Sequence, residues 1–216
     1  MSKNNFLPFC LIVAAVVVGC QDQNKTQTTD NPLLLNYETP FQVPPFDKIR
    51  IEHYRPAFDE ALKIHNLEVD SIIGNTDEPT FRNTIVALEN AGSLLSNVST
   101  VFFNINSANT NDSIQAIAKD LAPILSAHRD GIYLNEKLFA RVKVVYDKRE
   151  ALTLDAEDVK LLEETYKGFV RSGANLSQAD KEKLKKINAE LSVLTTQFGQ
   201  NALAETNAYE LVIEKK

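Results

Sequence analysis

HYRPAFDEALKIH, residues 53–65, carries two of the chain's three histidines and opens its first long helical stretch. Glu52 stands just before the first histidine, and Glu68 lies three residues past the second. The stretch poses two questions, one about fold and one about metal. On the fold side, Phe58, Ala61, Leu62, Val69, Ile72 and Ile73 recur at the spacing of one helix face. Pro56 suits a first helical turn, and Gly74-Asn75 supplies a stop. On the metal side, a helix rising about 1.5 Å per residue sets His53 and His65 roughly 18 Å apart along its axis. Ligands of one zinc each lie within about 2.1 Å of it, so these two cannot share a metal. His65 with Glu68 then reads as a helix-surface pair one turn apart. His53 reads as a boundary residue ahead of the helix, bonded to nearby backbone.

The helical period continues downstream. Thr80 is placed to cap a second helix, in which Phe81, Ile85, Leu88, Leu95, Val98, Phe102 and Ile105 recur every three or four residues. A third helix is expected over 112–128, bent at Pro123, and a fourth over 135–148. A fifth opens at Asp155 and Asp158 and stops at Gly173; a sixth opens at Ser177 and Asp180. In the sixth, Leu184, Ile187, Leu191, Leu194 and Phe198 follow a/d-like spacing. Over so few turns that spacing predicts an antiparallel helix pair inside a domain. Upstream, 31–46 is apolar but broken by four prolines, which predicts an extended strap on the domain surface. At the far end YELVIEKK, residues 209–216, predicts a short strand with no partner of its own.

Composition sets the class. The chain has 216 residues, 44% of them hydrophobic, with only 7 Gly and 8 Pro, which describes a helix-rich globular protein. Its formal charge of −6 gives no electrostatic footprint for nucleic acid. The basic run KEKLKK (181–186) sits among acids and reads as a solvated helix face. The N-terminus is more specific. Lys3 is followed by FLPFCLIVAAVVV (6–18), too short to span a membrane comfortably and the right length for a signal-peptide core. It runs into Val17-Val18-Gly19-Cys20, which resembles the bacterial lipobox, whose cysteine is lipidated and becomes the first mature residue. The expected organisation is a lipoprotein signal peptide over 1–19, lipid attachment at Cys20, a polar tether over 20–32 and a helical region over 33–216. Cys10 would leave with the signal peptide, so one mature chain could form neither a disulfide nor a thiolate metal site. The expected location is the bacterial cell envelope, with a lipid membrane as partner through Cys20.

Catalytic patterns are missing. The zinc-protease pattern H-E-x-x-H, the nucleophile elbow G-x-S-x-G and any G-x-G phosphate loop are absent. The acid clusters Glu163-Glu164 and Asp155, Glu157, Asp158 read as exposed helix faces. His128 with Asp130 falls at the expected end of the third helix, where a histidine is favoured by the helix dipole. The residues themselves therefore nominate no catalytic side chain and no metal ligand.

Whole segments carry a resemblance that the motifs do not. FDKIRIEHYRPAFDEAL (46–62), EPTFRNTIVALENAG (78–92), TNDSIQAIAKDLAPILSAHRDGIYLNEKLFARVKVVY (110–146), LLEETYKGFVRSGANL (161–176) and INAELSVLTTQFGQNALAET (187–206) are similar to the N-terminal region of M3-family zinc metallopeptidases. The peptidyl-dipeptidase (dipeptidyl carboxypeptidase) branch is the nearest in character. The resemblance implies an all-α fold: the multi-helix N-terminal half of a two-lobed peptidase, incomplete at its C-terminus. It implies zinc in the full-length enzyme, held in the other half on H-E-x-x-H and a downstream Glu, and none bound by this chain. It also implies oligopeptide substrates trimmed of C-terminal dipeptides, a monomeric enzyme, and no hydrolysis by this portion alone. The rival expectation is a stand-alone, non-catalytic helical lipoprotein that binds peptides or a partner protein.

Overall fold

The computed structural model describes residues 30–213, so the expected signal peptide over 1–19 and the expected lipid attachment at Cys20 lie outside the described residues. Within them the protein is all-α, and no strand forms among the described residues. The strap is not wholly extended. Two short turns, Pro32–Leu34 and Pro40–Gln42, each begin at a proline, whose fixed φ suits a first turn position without forfeiting a needed N–H, although the second continues left-handed at Phe41 and Gln42 (φ 58° and 56°). Asn31 caps the first turn by accepting from the Leu33 N–H at 3.0 Å, and its amide donates to the His53 carbonyl at 2.8 Å. Leu33 is thereby held in the core.

Helix α1, Ile51–Gly74, is the spine. It starts earlier than the proline suggests. The His53 ring Nδ1 accepts the Arg50 N–H at 3.0 Å, so His53 bonds nearby backbone as expected but does so from the first turn. Pro56 consequently sits inside the helix. The N-terminal half of α1 contributes Tyr54, Phe58 and Leu62 to one core, and its C-terminal half contributes Val69 and Ile72 to another.

The second expected helix is broken in two. Thr80 caps as predicted: its hydroxyl accepts the Asn83 N–H at 3.1 Å, and the Asn83 side chain accepts the Thr80 N–H at 2.8 Å. A π-helical turn, Phe81–Val86, leads into the short α2, Ala87–Asn90. The chain then straightens at Ala91, turns left-handed at Gly92 (φ 77°) and restarts as α3, Ser93–Ala108. α3 lays Leu95, Val98 and Phe102 against α1, and the Phe58 and Phe102 rings meet edge-on at 5.5 Å. α4, Asp112–Tyr133, passes through Pro123 and runs beyond the expected stop at residue 128, because Ile132 and Tyr133 find core contacts there. α5 (Glu136–Asp147) and α6 (Ala156–Arg171) close the second core with stacked rings, Tyr146 on Tyr166 at 3.8 Å and Phe139 near Phe169 at 5.9 Å.

Helix α7, Gln178–Ala208, departs furthest from expectation. α4 is its main neighbour, as an antiparallel pair would require, but the apolar seam packs only at its start, where Leu184 lies against Gly173. Ile187, Leu191, Leu194 and Phe198 remain 55–75% exposed. The inner face is small and polar: Asn188, Ser192, Thr196, Gly199 and Gln200 lie along α4. Lys181 is 2% exposed, contrary to the solvated reading of KEKLKK; its ammonium reaches Glu136 of α5 at 3.2 Å. Lys183 and Lys185 do face solvent, beside Asp180 and Glu182. Residues 209–213 leave α7 without pairing to any strand, and Tyr209, Leu211, Val212 and Ile213 are 70–82% exposed.

A buried arginine ties the spine to the second core. Arg141 of α5 donates to the Asn75 carbonyl at 2.7 Å and the Asp77 carbonyl at 3.3 Å, gripping the chain as it leaves α1. It also donates to the Asn83 side chain at 3.3 Å. Replacing Arg141 with Met keeps much of the stem but strands those acceptors. The expected loss is about 2–4 kcal/mol, read from urea unfolding midpoints at constant slope. A midpoint unchanged from wild type would refute the grip.

Candidate functional site

Polar side chains meet across the fold at two locations. The first lies between the two cores. His65 follows Leu62 of the first core by one turn and precedes Val69 of the second. Its ring Nδ1 sits 2.9 Å from Nε2 of His128 on α4, so one imidazole donates to the other. The ring also lies beneath Gly92. A Cβ there would fall 2.5–2.8 Å from His65 ring atoms, and the left-handed backbone independently favours glycine. The Gly92 N–H donates to the Glu68 carboxylate at 2.7 Å. His65 and Glu68 are thus not a surface pair; each is directed to a different partner across the fold.

Burial lowers both histidines below their usual range. Glu68 opposes the shift at His65, and the neighbouring His65 reinforces it at His128. The arrangement holds one shared proton position and two uncharged rings. His128 is also not at a helix end, since α4 continues to Tyr133. Nor does it act with Asp130. Residues two apart on a helix point about 200° from each other, and Asp130 faces α7, where it accepts from the Asn188 amide at 2.8 Å.

That second location is a groove of about 510 Å³ between α4 and α7, ended by Arg171 and Ser172. Arg129 and Arg171 are exposed at its edge, and Asp130 lies buried within it. Arg129 also rests over the Tyr133 ring at 5.6 Å. Such a groove can accept a polar or anionic group. Its hydroxyls have no histidine beside them, and Ser192 Oγ donates to the Ala189 carbonyl at 2.7 Å. Among the described residues, no three His, Cys, Asp or Glu side chains gather as a metal site. The histidine pair and Gly92 were not legible as a unit; the one available signal was a glycine interrupting an otherwise helical pattern at 92.

Over an N-terminal portion of them, the chain resembles the M3-family peptidases. It is 45% identical over 186 residues to the dipeptidyl carboxypeptidase of Escherichia coli K12, a match covering 86% of this chain and 27% of that protein. It is 42% identical over 184 residues to the dipeptidyl carboxypeptidase of Salmonella typhimurium LT2, covering 85% and 27%. Oligopeptidase A of Escherichia coli K12 is 25% identical over 183 residues, covering 85% and 26%. The chain spans about a quarter of the length of these curated relatives. No family model matches it.

The histidine pair gives a pH dependence of defined sign. Both folded-state values lie below the ordinary 6.5, so the unfolded chain takes up protons first as pH falls. Stability is full above about 6.5 and declines as pH drops from there through the lowered folded values. Urea midpoints measured between pH 7.5 and 5.5 should fall for the wild type. The fall should be shallower for His128→Gln; an equal slope in both would rule out the pair as its source.

Proposed function

We propose that this chain is the non-catalytic N-terminal portion of a lipid-anchored peptidyl-dipeptidase, a zinc metallopeptidase releasing dipeptides from the C-termini of oligopeptides in the bacterial envelope. The observation that supports this most is the 45% identity to a dipeptidyl carboxypeptidase across 86% of the chain. Zinc bound in the remainder of such an enzyme would supply Lewis-acid stabilisation of the developing oxyanion. The described residues do not fit that zinc: His65 and His128 turn their ring nitrogens toward each other, and the Glu68 carboxylate is engaged by the Gly92 N–H. This portion's role is to bind, enclose and orient, with its polar groove and exposed helix face turned to the rest of the enzyme.

Two measurements test the reading. Residues 33–213 would replace the matched quarter of the Escherichia coli dipeptidyl carboxypeptidase, and dipeptide release from a blocked tripeptide would be followed. The chimera should retain activity within about tenfold of the parent, and the isolated chain should release nothing with zinc added. A folded but inactive chimera, or metal-dependent turnover by the isolated chain, would overturn it.

The anchor rests on the apolar run 6–18 ending in Val17-Val18-Gly19-Cys20. Expressed in a bacterium, the chain should partition into the detergent phase of a two-phase extraction, and Cys20→Ser should move it to the aqueous phase. A wild-type chain found in the aqueous phase sinks the anchor.

A further inference from the structure

The apolar seam of α7 points away from the molecule, and its direction is fixed. Three polar contacts along the opposite face set the roll of the helix. Lys181 binds Glu136 at 3.2 Å, Asn188 donates to Asp130 at 2.8 Å, and Gln200 donates to the Gln115 carbonyl at 3.0 Å. Rolling α7 to bury its leucines would strip Asp130 of its amide and pull a buried ammonium away from the Glu136 carboxylate. Ile187, Leu191, Leu194 and Phe198 are therefore presented outward as a continuous stripe at helix-pairing spacing. A contiguous exposed stripe of this kind marks an interaction surface, unlike scattered single apolar residues.

Building on the peptidase reading, we propose that this seam is the docking face for an apolar helix belonging to the part of the peptidase outside the matched quarter. Three observations favour that occupant. The relatives carry roughly three quarters of their length outside the match, so in them this segment is folded beside a large additional body. Beyond the seam, Leu211, Val212 and Ile213 are further apolar side chains left 70–82% exposed. Between Ile187 and Phe198 the positions beside the stripe, Asn188, Glu190, Thr195 and Gln197, carry no cation, and the helix's lysines are confined to its first turns at 181–186, whereas a lipid-seeking helix lines its polar face with Lys or Arg throughout. A second copy is a poorer fit. Four side chains at about 100 Å² each fall short of the roughly 800 Å² per partner that a stable dimer buries.

The test is accessibility at one seam residue. Leu194→Cys is made in the full chain and in the chimera described above, and thiol labelling at position 194 is followed by peptide mass. Labelling should be at least tenfold slower in the chimera. The same cysteine at the aligned position of the intact Escherichia coli enzyme gives a second measurement in a protein already folded, and it should be equally protected. Equal, fast labelling in all three overturns the docking face, even if the chimera is active. Protection that appears in the isolated chain as its concentration rises assigns the seam to a second copy. Protection that appears only with anionic vesicles assigns it to lipid; both results reject the proposal. A protected but inactive chimera leaves the docking face standing and counts against the peptidase reading alone.

Discussion

The structure depends on one crossing point, where the His65 ring slides under the bare Cα of Gly92 and meets His128. α1 is shared by two cores, and this joint lies between them. Glu68 on the same helix receives the Gly92 N–H, so the turn between α2 and α3 is held to the spine by a carboxylate and packed by an imidazole. α4 is then brought in by the second imidazole. A larger residue at 92 would push α3 off α1 and with it Phe102 off Phe58, linking a backbone detail to the first core.

The same logic of polar pins appears at α7, with a different outcome. Helices on a protein surface ordinarily turn their apolar stripe inward. Here small side chains let α7 lie close along α4, and buried polar partners fix its register and roll. The stability of that contact comes from close fit and satisfied polar groups, which leaves the leucine seam free.

How much could be read beforehand follows from the range of each interaction. Caps were legible because a capping side chain bonds three residues ahead: Thr80 to Asn83, Asp155 to Asp158, Ser177 to Asp180. The broken second helix was not, because the carboxylate that holds Gly92 lies 24 residues earlier. The histidine pair joins positions 63 residues apart, and Lys181 finds Glu136 across 45. Periodicity revealed that α7 has an apolar face, but the direction of that face is decided by Asn188 and Asp130, 58 residues apart. The helix end at His128 was misplaced for a related reason, since burial of Ile132 extends α4 where local signals suggested a stop. Segment resemblance succeeded where motif reading was silent, because scaffold identity is spread over many packing positions rather than concentrated at a reacting centre.

The contact between His65 and Gly92 also constrains how homologous chains can vary. A side chain at 92 and an imidazole at 65 compete for the same few cubic ångströms. Any lineage that gives up the glycine must therefore shrink the residue at 65 as well, and in doing so gives up the partner of His128. Positions 65, 92 and 128 should change together or not at all, a three-way correlation between residues that sit on three different helices or their ends.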